Sequence, residues 1–140
     1  MPIGTMLGID SHENFFVDNQ LEKTVIGDML LNADAMRLAL DDLRINDFSV
    51  QQYRKVFEVC VVLDSKGKAI DPLVIVGEYP TDEKADIKNL LYGCASEIVS
   101  TVAYAEHIAM LKKVSARRMA YQKLLTISDA IEGDADANNI

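Results

Sequence analysis

The sequence lacks tryptophan and contains only three prolines and two cysteines, Cys60 and Cys94, among 140 residues. Two cysteines do not provide the disulfide framework that holds small secreted domains together. No apolar run approaches the roughly 18 residues needed to span a bilayer. The segment 1–7 also lacks the basic start of a signal peptide. These absences predict a cytoplasmic protein with no membrane partner.

Basic residues are also scarce, since 14 of them stand against 22 acidic residues, for a net charge of −8. A duplex-binding domain usually carries a basic surface that displaces counterions from phosphates. One stretch between Glu106 and Asp129 contains no acidic residue, but its cations point in several directions at helical spacing. These cations are Lys112, Lys113, Arg117, Arg118 and Lys123. We interpret them as a solvated helix face and expect no direct binding of nucleic acid.

Residue groups that could support catalysis are missing as well. His12 and His107 lie far apart in sequence, and neither cysteine has the spacing of a zinc ligand set. The adjacent Asp41 and Asp42 diverge on a helix, which does not suit an acid–base pair. No segment fits the phosphate-binding pattern G-x-x-x-x-G-K-[ST]. We therefore predict no catalytic residue, no metal site and no cofactor, and expect that the chain is not an enzyme.

The residues present indicate an all-α fold. Asp18 or Asn19 can cap a first helix, in which Leu21, Val25 and Met29 recur at helical spacing. Gly27 lies inside this helix although glycine costs up to about 1 kcal/mol there relative to alanine. We interpret Gly27 as a point where another helix approaches closely.

Four further helices follow from cap and stop signals. Asn32 is a candidate cap for the second helix, and Ser49 for the third, which should end at Lys66 and Gly67. The segment 73–76 could form a strand, but we favour a short buried helix because no second strand is available to pair with it. That fourth helix begins with the cap Asp71 and Pro72. The fifth helix is predicted to begin at Thr81 and Asp82 and to end at Gly93.

The longest pattern begins at Ser100 or Thr101 and ends near Gly133. A helix of about 30 residues would be about 45 Å long, so part of it should project from a small body. The predicted architecture is a compact bundle of about five helices plus a long projecting C-terminal helix. We expect a flexible N-terminal arm at 1–17, a helical domain at 18–133 and a disordered tail at 134–140.

The distal part of the long helix carries the candidate functional residues. Leu124, Ile127 and Ile131 can either fold back onto the body or pack against another protein, and the second alternative is favoured. Methionine and aromatic residues are enriched at protein interfaces, which adds three candidates to this surface. The predicted interface residues are therefore Met110, Met119, Tyr121, Leu124, Ile127 and Ile131.

Several short motifs resemble, in the same order, the N-terminal domain of DnaB-type replicative DNA helicases. The first is the opening of the first helix, where Asn19 and Glu22 precede an apolar pair and Gly27. The later motifs are Asp47-Phe48, Tyr53 to Phe57, Gly67 to Asp71, and Tyr104-Ala105. The resemblance covers residues 18 to about 128 and is looser between Ile87 and Leu91.

The resemblance implies a non-catalytic domain that forms the collar of a hexameric helicase during DNA replication. It implies pairing with other copies and docking of the C-terminal domain of primase, with a helicase loader as a further candidate partner. In the family, the long helix is the first arm of a helical hairpin. Two alternatives remain open: a free-standing phage or plasmid protein that mimics the collar, and an unrelated helical regulator or small-molecule binder.

Overall fold

The computed structural model describes residues 18–138, and the side chains as far as residue 133. This part of the chain contains six α-helices and no strand, which confirms the predicted all-α class. A single 3-10 turn, Ile45–Asp47, connects the second and third helices. The helices are α1 (Asn19–Leu31), α2 (Ala33–Asp42), α3 (Gln51–Ser65), α4 (Pro72–Gly77), α5 (Lys84–Ser96) and α6 (Tyr104–Asn138). The arm predicted at 1–17 lies outside the described residues.

Side-chain caps begin three of the helices as predicted. Asp18 Oδ1 accepts a hydrogen bond from the Leu21 amide at 2.9 Å. Asn32 Oδ1 accepts one from the amide of Asp34 at 2.9 Å, and Asp71 Oδ1 one from that of Val74 at 2.8 Å. Each bond satisfies an amide that has no partner within its own helix.

The predicted cap of α3 is wrong. Val50 occupies the cap position and makes no side-chain cap bond. Instead, the amides of Ser49 and Val50 donate to the buried carboxylate of Glu22, at 2.8 and 3.0 Å. A carboxylate from α1 therefore replaces the local serine cap, because tertiary packing brings a stronger acceptor to this end of the helix.

Two predicted helix ends are also corrected. The helix α5 continues through Gly93 to Ser96, and α6 continues through Gly133 to Asn138. The tail at 134–140 is predicted to be disordered, but its backbone is helical over residues 134–138. Glycine within a helix costs only about 1 kcal/mol and stops a helix chiefly when it adopts a left-handed conformation. Gly67 does adopt that conformation, with φ of +68°, immediately after the end of α3.

Two helix starts lie later than predicted, at Lys84 for α5 and at Tyr104 for α6. Thr81 and Asp82 lie in the turn that precedes α5, whereas Ser100 and Thr101 lie before the turn at residues 102 and 103 that precedes α6. The segment 73–76 is helical in α4, as favoured, but its predicted burial is wrong: only Ile75 is buried, and Leu73 is 79% exposed.

The helix α1 is the centre of the body and packs against α2, α3, α5 and α6. Val25 and Ile26 are almost completely buried, and they share the core with Phe48 and Phe57, whose ring centroids lie 4.9 Å apart. A Cβ atom added to Gly27 would lie 2.5 Å from the carbonyl oxygen of Cys94 on α5. The close approach of another helix at Gly27 is thus confirmed.

The first half of α6 packs on the body and the second half projects from it. Ile108 and Leu111 are fully buried. From Met119 to Gly133, every residue is exposed except Tyr121, which is half-buried. With 35 residues, α6 is about 52 Å long at 1.5 Å per residue. The predicted long projecting helix is therefore confirmed. Within the described residues, no helix combines the length and apolarity that crossing a membrane requires.

Candidate protein interface

A contact between the buried Asp28 of α1 and the half-buried His107 holds the start of α6 against α1. His107 Nδ1 lies 2.6 Å from Oδ2 of Asp28, a residue with no exposed surface. Nearby, Asn32 Nδ2 donates to Thr101 Oγ1 at 3.1 Å, in the loop that precedes α6. Hydrogen bonds of this kind depend on direction as well as distance, so they restrict the rotation of α6 about its own axis.

A second buried cluster fixes α6 two turns further along. Ser115 Oγ donates to Asp47 Oδ1 at 2.6 Å. Arg118 Nη2 donates to the carbonyl oxygens of Asn46 at 2.7 Å and Asp47 at 3.1 Å. Arg118 is only 7% exposed, and this burial lowers the pKa of its guanidinium group. The 3-10 turn therefore holds α6 at Arg118, the last buried residue of α6 among those whose side chains are described.

This anchoring determines where the distal side chains of α6 point. Residues advance by about 100° around a helix, so Leu124 lies about 180° from the body-facing Ser115. Leu124, Ile127 and Ile131 share one side of α6, which we name the distal stripe. Their exposed fractions are 46%, 50% and 64%. The distal stripe does not fold back onto the body, and its contact with a partner stays a prediction.

The other three predicted interface residues divide between two sides of α6. Met110, which is 53% exposed, and the half-buried Tyr121 lie on the side of the distal stripe. Met119 is also exposed and lies on the opposite border of the distal stripe, about 80° from Ile127 and about 140° from Leu124. The exposed Leu125 lies about 100° from Leu124 and about 160° from Ile127, so it lies outside the distal stripe.

The fold exposes a second apolar surface that the sequence pattern did not indicate. A groove of about 250 Å³ lies between α4 and α5, and we name it the α4–α5 groove. Leu73 and Tyr92 flank it with exposed fractions of 79% and 76%. Its lining residues are Pro72, Leu73, Val76, Lys88, Leu91, Tyr92 and Ala95. Helical periodicity alone could not show it, because the groove needs side chains from two helices.

The basic residues of α6 do not form a single surface. Arg118 is buried against backbone carbonyls of the body, whereas Lys112 and Lys123 are exposed on a side of α6 different from that of Lys113 and Arg117. This arrangement offers no continuous track for a phosphate backbone.

The described residues show no cluster of three histidine, cysteine or acidic side chains arranged to hold a metal ion. His12 lies outside the described residues. Cys60 and Cys94 are free and buried, and burial raises the pKa of their thiols to about 12 and about 11. A thiol with a raised pKa is a poor nucleophile at neutral pH.

Comparisons with known proteins agree with this fold. The family model described as the DnaB-like helicase N terminal domain matches residues 16–113. The replicative DNA helicase DnaC of Bacillus subtilis (strain 168) is 23% identical over 116 residues, which are 82% of this chain and 25% of the helicase. The chain thus spans about a quarter of the length of that relative.

A solved structure supports the same assignment of fold. The N-terminal domain of DnaB helicase from Mycobacterium tuberculosis superposes with a TM-score of 0.75. The superposition covers 86% of this chain and 89% of that chain, at 20% sequence identity. At this identity the likeness shows the fold alone.

Proposed function

The chain belongs to the DnaB-like helicase N-terminal domain family, and on that premise we propose that it is a non-catalytic interaction domain of a replicative DNA helicase. In this role it associates with other copies of itself and docks a primase or a helicase loader during DNA replication in the cytoplasm. Tethering of this kind raises the effective concentration of the docked enzyme without new chemistry.

The exposed distal stripe is the observation that carries this proposal. Three large aliphatic side chains lie on one side of the distal half of α6, where no described side chain is buried. About half of the surface of each side chain is still exposed, so a partner that covers it would contribute about 1 kcal/mol for each. Apolar surfaces of this kind mark sites of protein association.

The absence of catalysis by this chain is part of the proposal. The family match covers the helicase's N-terminal domain and not its ATPase motor. The 140 residues contain no G-x-x-x-x-G-K-[ST] segment, the pattern with which many ATPases cradle phosphates. We expect no ATP hydrolysis above background from the purified chain.

Light scattering of the chain alone, and mixed with the C-terminal domain of its cognate primase, tests the proposal directly. We expect the mass of the chain alone to rise with concentration, and a complex of larger mass with primase. A chain that stays monomeric at every concentration and ignores the primase domain would contradict both parts of the proposed function.

The substitution Ile127→Asp tests the role of the distal stripe in self-association. A charge at the centre of an apolar interface should lower the association constant by at least about tenfold. Because Ile127 is 50% exposed, the body should keep its thermal midpoint in circular dichroism. Val102→Asp is the control at an 85% exposed apolar residue outside α6, and it should associate like the parent chain. An unfolded Ile127→Asp variant would show instead that the stripe belongs to the core.

A further inference from the structure

A polar cavity lies between α3 and the turn that joins α4 to α5, and we name it the α3 cavity. Its volume is about 560 Å³, which falls in the range of about 300–1,000 Å³ that small-molecule sites occupy. Every residue that lines it carries a polar side chain, in contrast to the apolar α4–α5 groove. These residues are Ser49, Gln51, Arg54, Lys55, Glu58, Tyr79 and Glu83.

A buried hydroxyl in the wall of the α3 cavity has no partner. Tyr79 is only 6% exposed, and its Oη atom makes no hydrogen bond to any described residue. Burial raises the pKa of this phenol to about 12, with smaller contributions from Cys60, Glu83 and Glu58. Because such contributions fall with distance, Oη lies near the two carboxylates that line the cavity. Buried polar groups without a partner are rare in folded proteins, so Tyr79 points to a ligand that supplies the missing bond.

Four exposed charged side chains line the same cavity, and the two signs are separated. Arg54 and Lys55 lie in the first turns of α3, whereas Glu58 lies further along the helix and Glu83 lies across from it at the start of α5. In the part of the chain that the structure describes, none of the four forms an ion pair within 4.0 Å. Arg54 Nε donates to the carbonyl oxygen of Phe48 at 3.0 Å, which holds its guanidinium group in place. The cavity therefore offers charges of both signs to a ligand.

The start of α3 adds to the cationic end of the cavity. This helix has 15 residues, and its cap residue makes no side-chain cap bond. Glu22 accepts the two amides that precede the helix, and its charge is opposed by that of Arg118. Among the described residues, none accepts a hydrogen bond from the amides of Gln51 and Gln52. Free amides at the start of a helix attract an anion.

We propose that the α3 cavity binds a small dipolar ligand, with its anionic group at the start of α3 and a guanidinium or ammonium group beside Glu58, Glu83 and Tyr79. Arg54 and Lys55 pair with the anion, while the cation donates to Tyr79 Oη and to the two carboxylates. From Gln51 to Glu58 the helix advances by about 10 Å, a distance that a molecule of the size of an amino acid bridges. This site is separate from the distal stripe and does not depend on self-association.

L-Arginine is the probe that tests the inference, because it carries a carboxylate and a guanidinium at the two ends of a short chain. Added to the isotope-labelled chain, it should cause saturable shifts of the backbone amide signals of residues 51–55 and 79–83 in nuclear magnetic resonance spectra. Agmatine lacks the carboxylate and L-norvaline lacks the guanidinium. Each of these two analogues should bind at least about fivefold more weakly than L-arginine, because it loses the contacts at one end.

Tyr79→Phe separates binding from folding. It removes a hydroxyl that has no partner in the fold, so the thermal midpoint in circular dichroism should not fall, while the dissociation constant for L-arginine should rise about fivefold. Glu83→Gln should weaken binding to a similar extent, and its exposed side chain makes no cap bond at the start of α5. Tyr92→Phe is the matched control, at a 76% exposed tyrosine outside the cavity, and should bind like the parent chain.

Three results would overturn the inference. If L-arginine causes no saturable shift, the cavity is not a site for this class of ligand. If either analogue binds as tightly as L-arginine, the ligand is not recognised at both ends. If Tyr79→Phe and Glu83→Gln both bind like the parent chain, the shifts arise elsewhere; should Tyr79→Phe unfold, Glu83→Gln decides. None of these results bears on the proposed self-association, which light scattering tests by itself.

Discussion

Three buried carboxylates connect the helices of the body at the scale of single residues. Glu22, Asp28 and Asp47 are almost completely buried, and each binds a group on another element. Their partners are Ser49 and Val50 for Glu22, His107 for Asp28, and Ser115 for Asp47. Because a buried charge without a partner is costly, these contacts disfavour other packings of the same helices.

Gly27 provides a test of close packing between α1 and α5. Gly27→Ala should lower the free energy of unfolding by about 1–2 kcal/mol, because the overpacking penalty exceeds the gain in helix propensity. The added Cβ would meet a backbone oxygen of Cys94, which no side-chain rotation can move away. Urea unfolding followed by circular dichroism measures the change.

The matched control for Gly27→Ala is Gly93→Ala, where an added Cβ meets no atom within 4 Å. Within α5 this change should raise stability by up to about 1 kcal/mol. Equal stabilisation by both substitutions would contradict the close approach at Gly27.

The two cysteines give a prediction on pH and reactivity. Burial raises the pKa of Cys60 to about 12 and that of Cys94 to about 11, against about 8.5 for an exposed thiol. Both thiols of the folded chain should therefore resist a disulfide reagent at about pH 8 and react fully in urea. Because the folded values are raised, stability should decline as the pH rises above about 8.5. Rapid labelling of either thiol in the folded chain would contradict the structure.

At the scale of elements, Glu22 couples α1 to the start of α3. Its carboxylate accepts the amides of Ser49 and Val50 and the hydroxyl of Ser49. The positive end of the helix dipole of α3 adds to this interaction. One side chain thus serves as a helix cap and as a contact between two helices.

Replacement of Glu22 tests this coupling. Glu22→Gln keeps the shape but removes the charge, and it should lower the free energy of unfolding by about 1–2 kcal/mol, the difference between charged and neutral hydrogen bonds. Chemical denaturation provides the measurement. Glu97→Gln is the control, since Glu97 lies at the surface beside Lys23 and should leave stability nearly unchanged. An equal effect of both substitutions would argue against a capping role for Glu22.

At the scale of the whole molecule, the body and the distal half of α6 are energetically separate. No buried side chain lies beyond Arg118 among the residues whose side chains are described. A chain that ends at Gln122 should keep its thermal midpoint within about 2 °C, because it loses no core contact. The same truncation should abolish self-association in light scattering.

A shorter truncation provides the contrast. A chain that ends at Val114 also loses Ser115 and Arg118, which bind the 3-10 turn, and its body should be clearly destabilised. If the chain that ends at Gln122 unfolded as readily, the distal half of α6 would be part of the fold.

Much of the fold could be predicted from the sequence because helices depend on local interactions. Asp18, Asn32 and Asp71 cap their helices as predicted, since a cap and its amide are two or three residues apart. The family could also be recognised from short motifs, and the family model bears this out. The length and projection of α6 follow from its periodic pattern and from the small size of the body.

Tertiary structure alone decided which surfaces are available. Leu73 and Ile75 lie in the same short apolar segment, yet one is 79% exposed and the other fully buried. At the start of α3, Glu22 takes the place of the predicted cap Ser49 as acceptor, and these two residues are far apart in sequence. The orientation of the distal stripe likewise depends on a contact between distant residues. Local propensity determines where a helix forms, whereas its rotation is determined by long-range packing and buried hydrogen bonds. The sequence by itself therefore determined the helices and the family, and only the folded arrangement decided which sides of them face a partner.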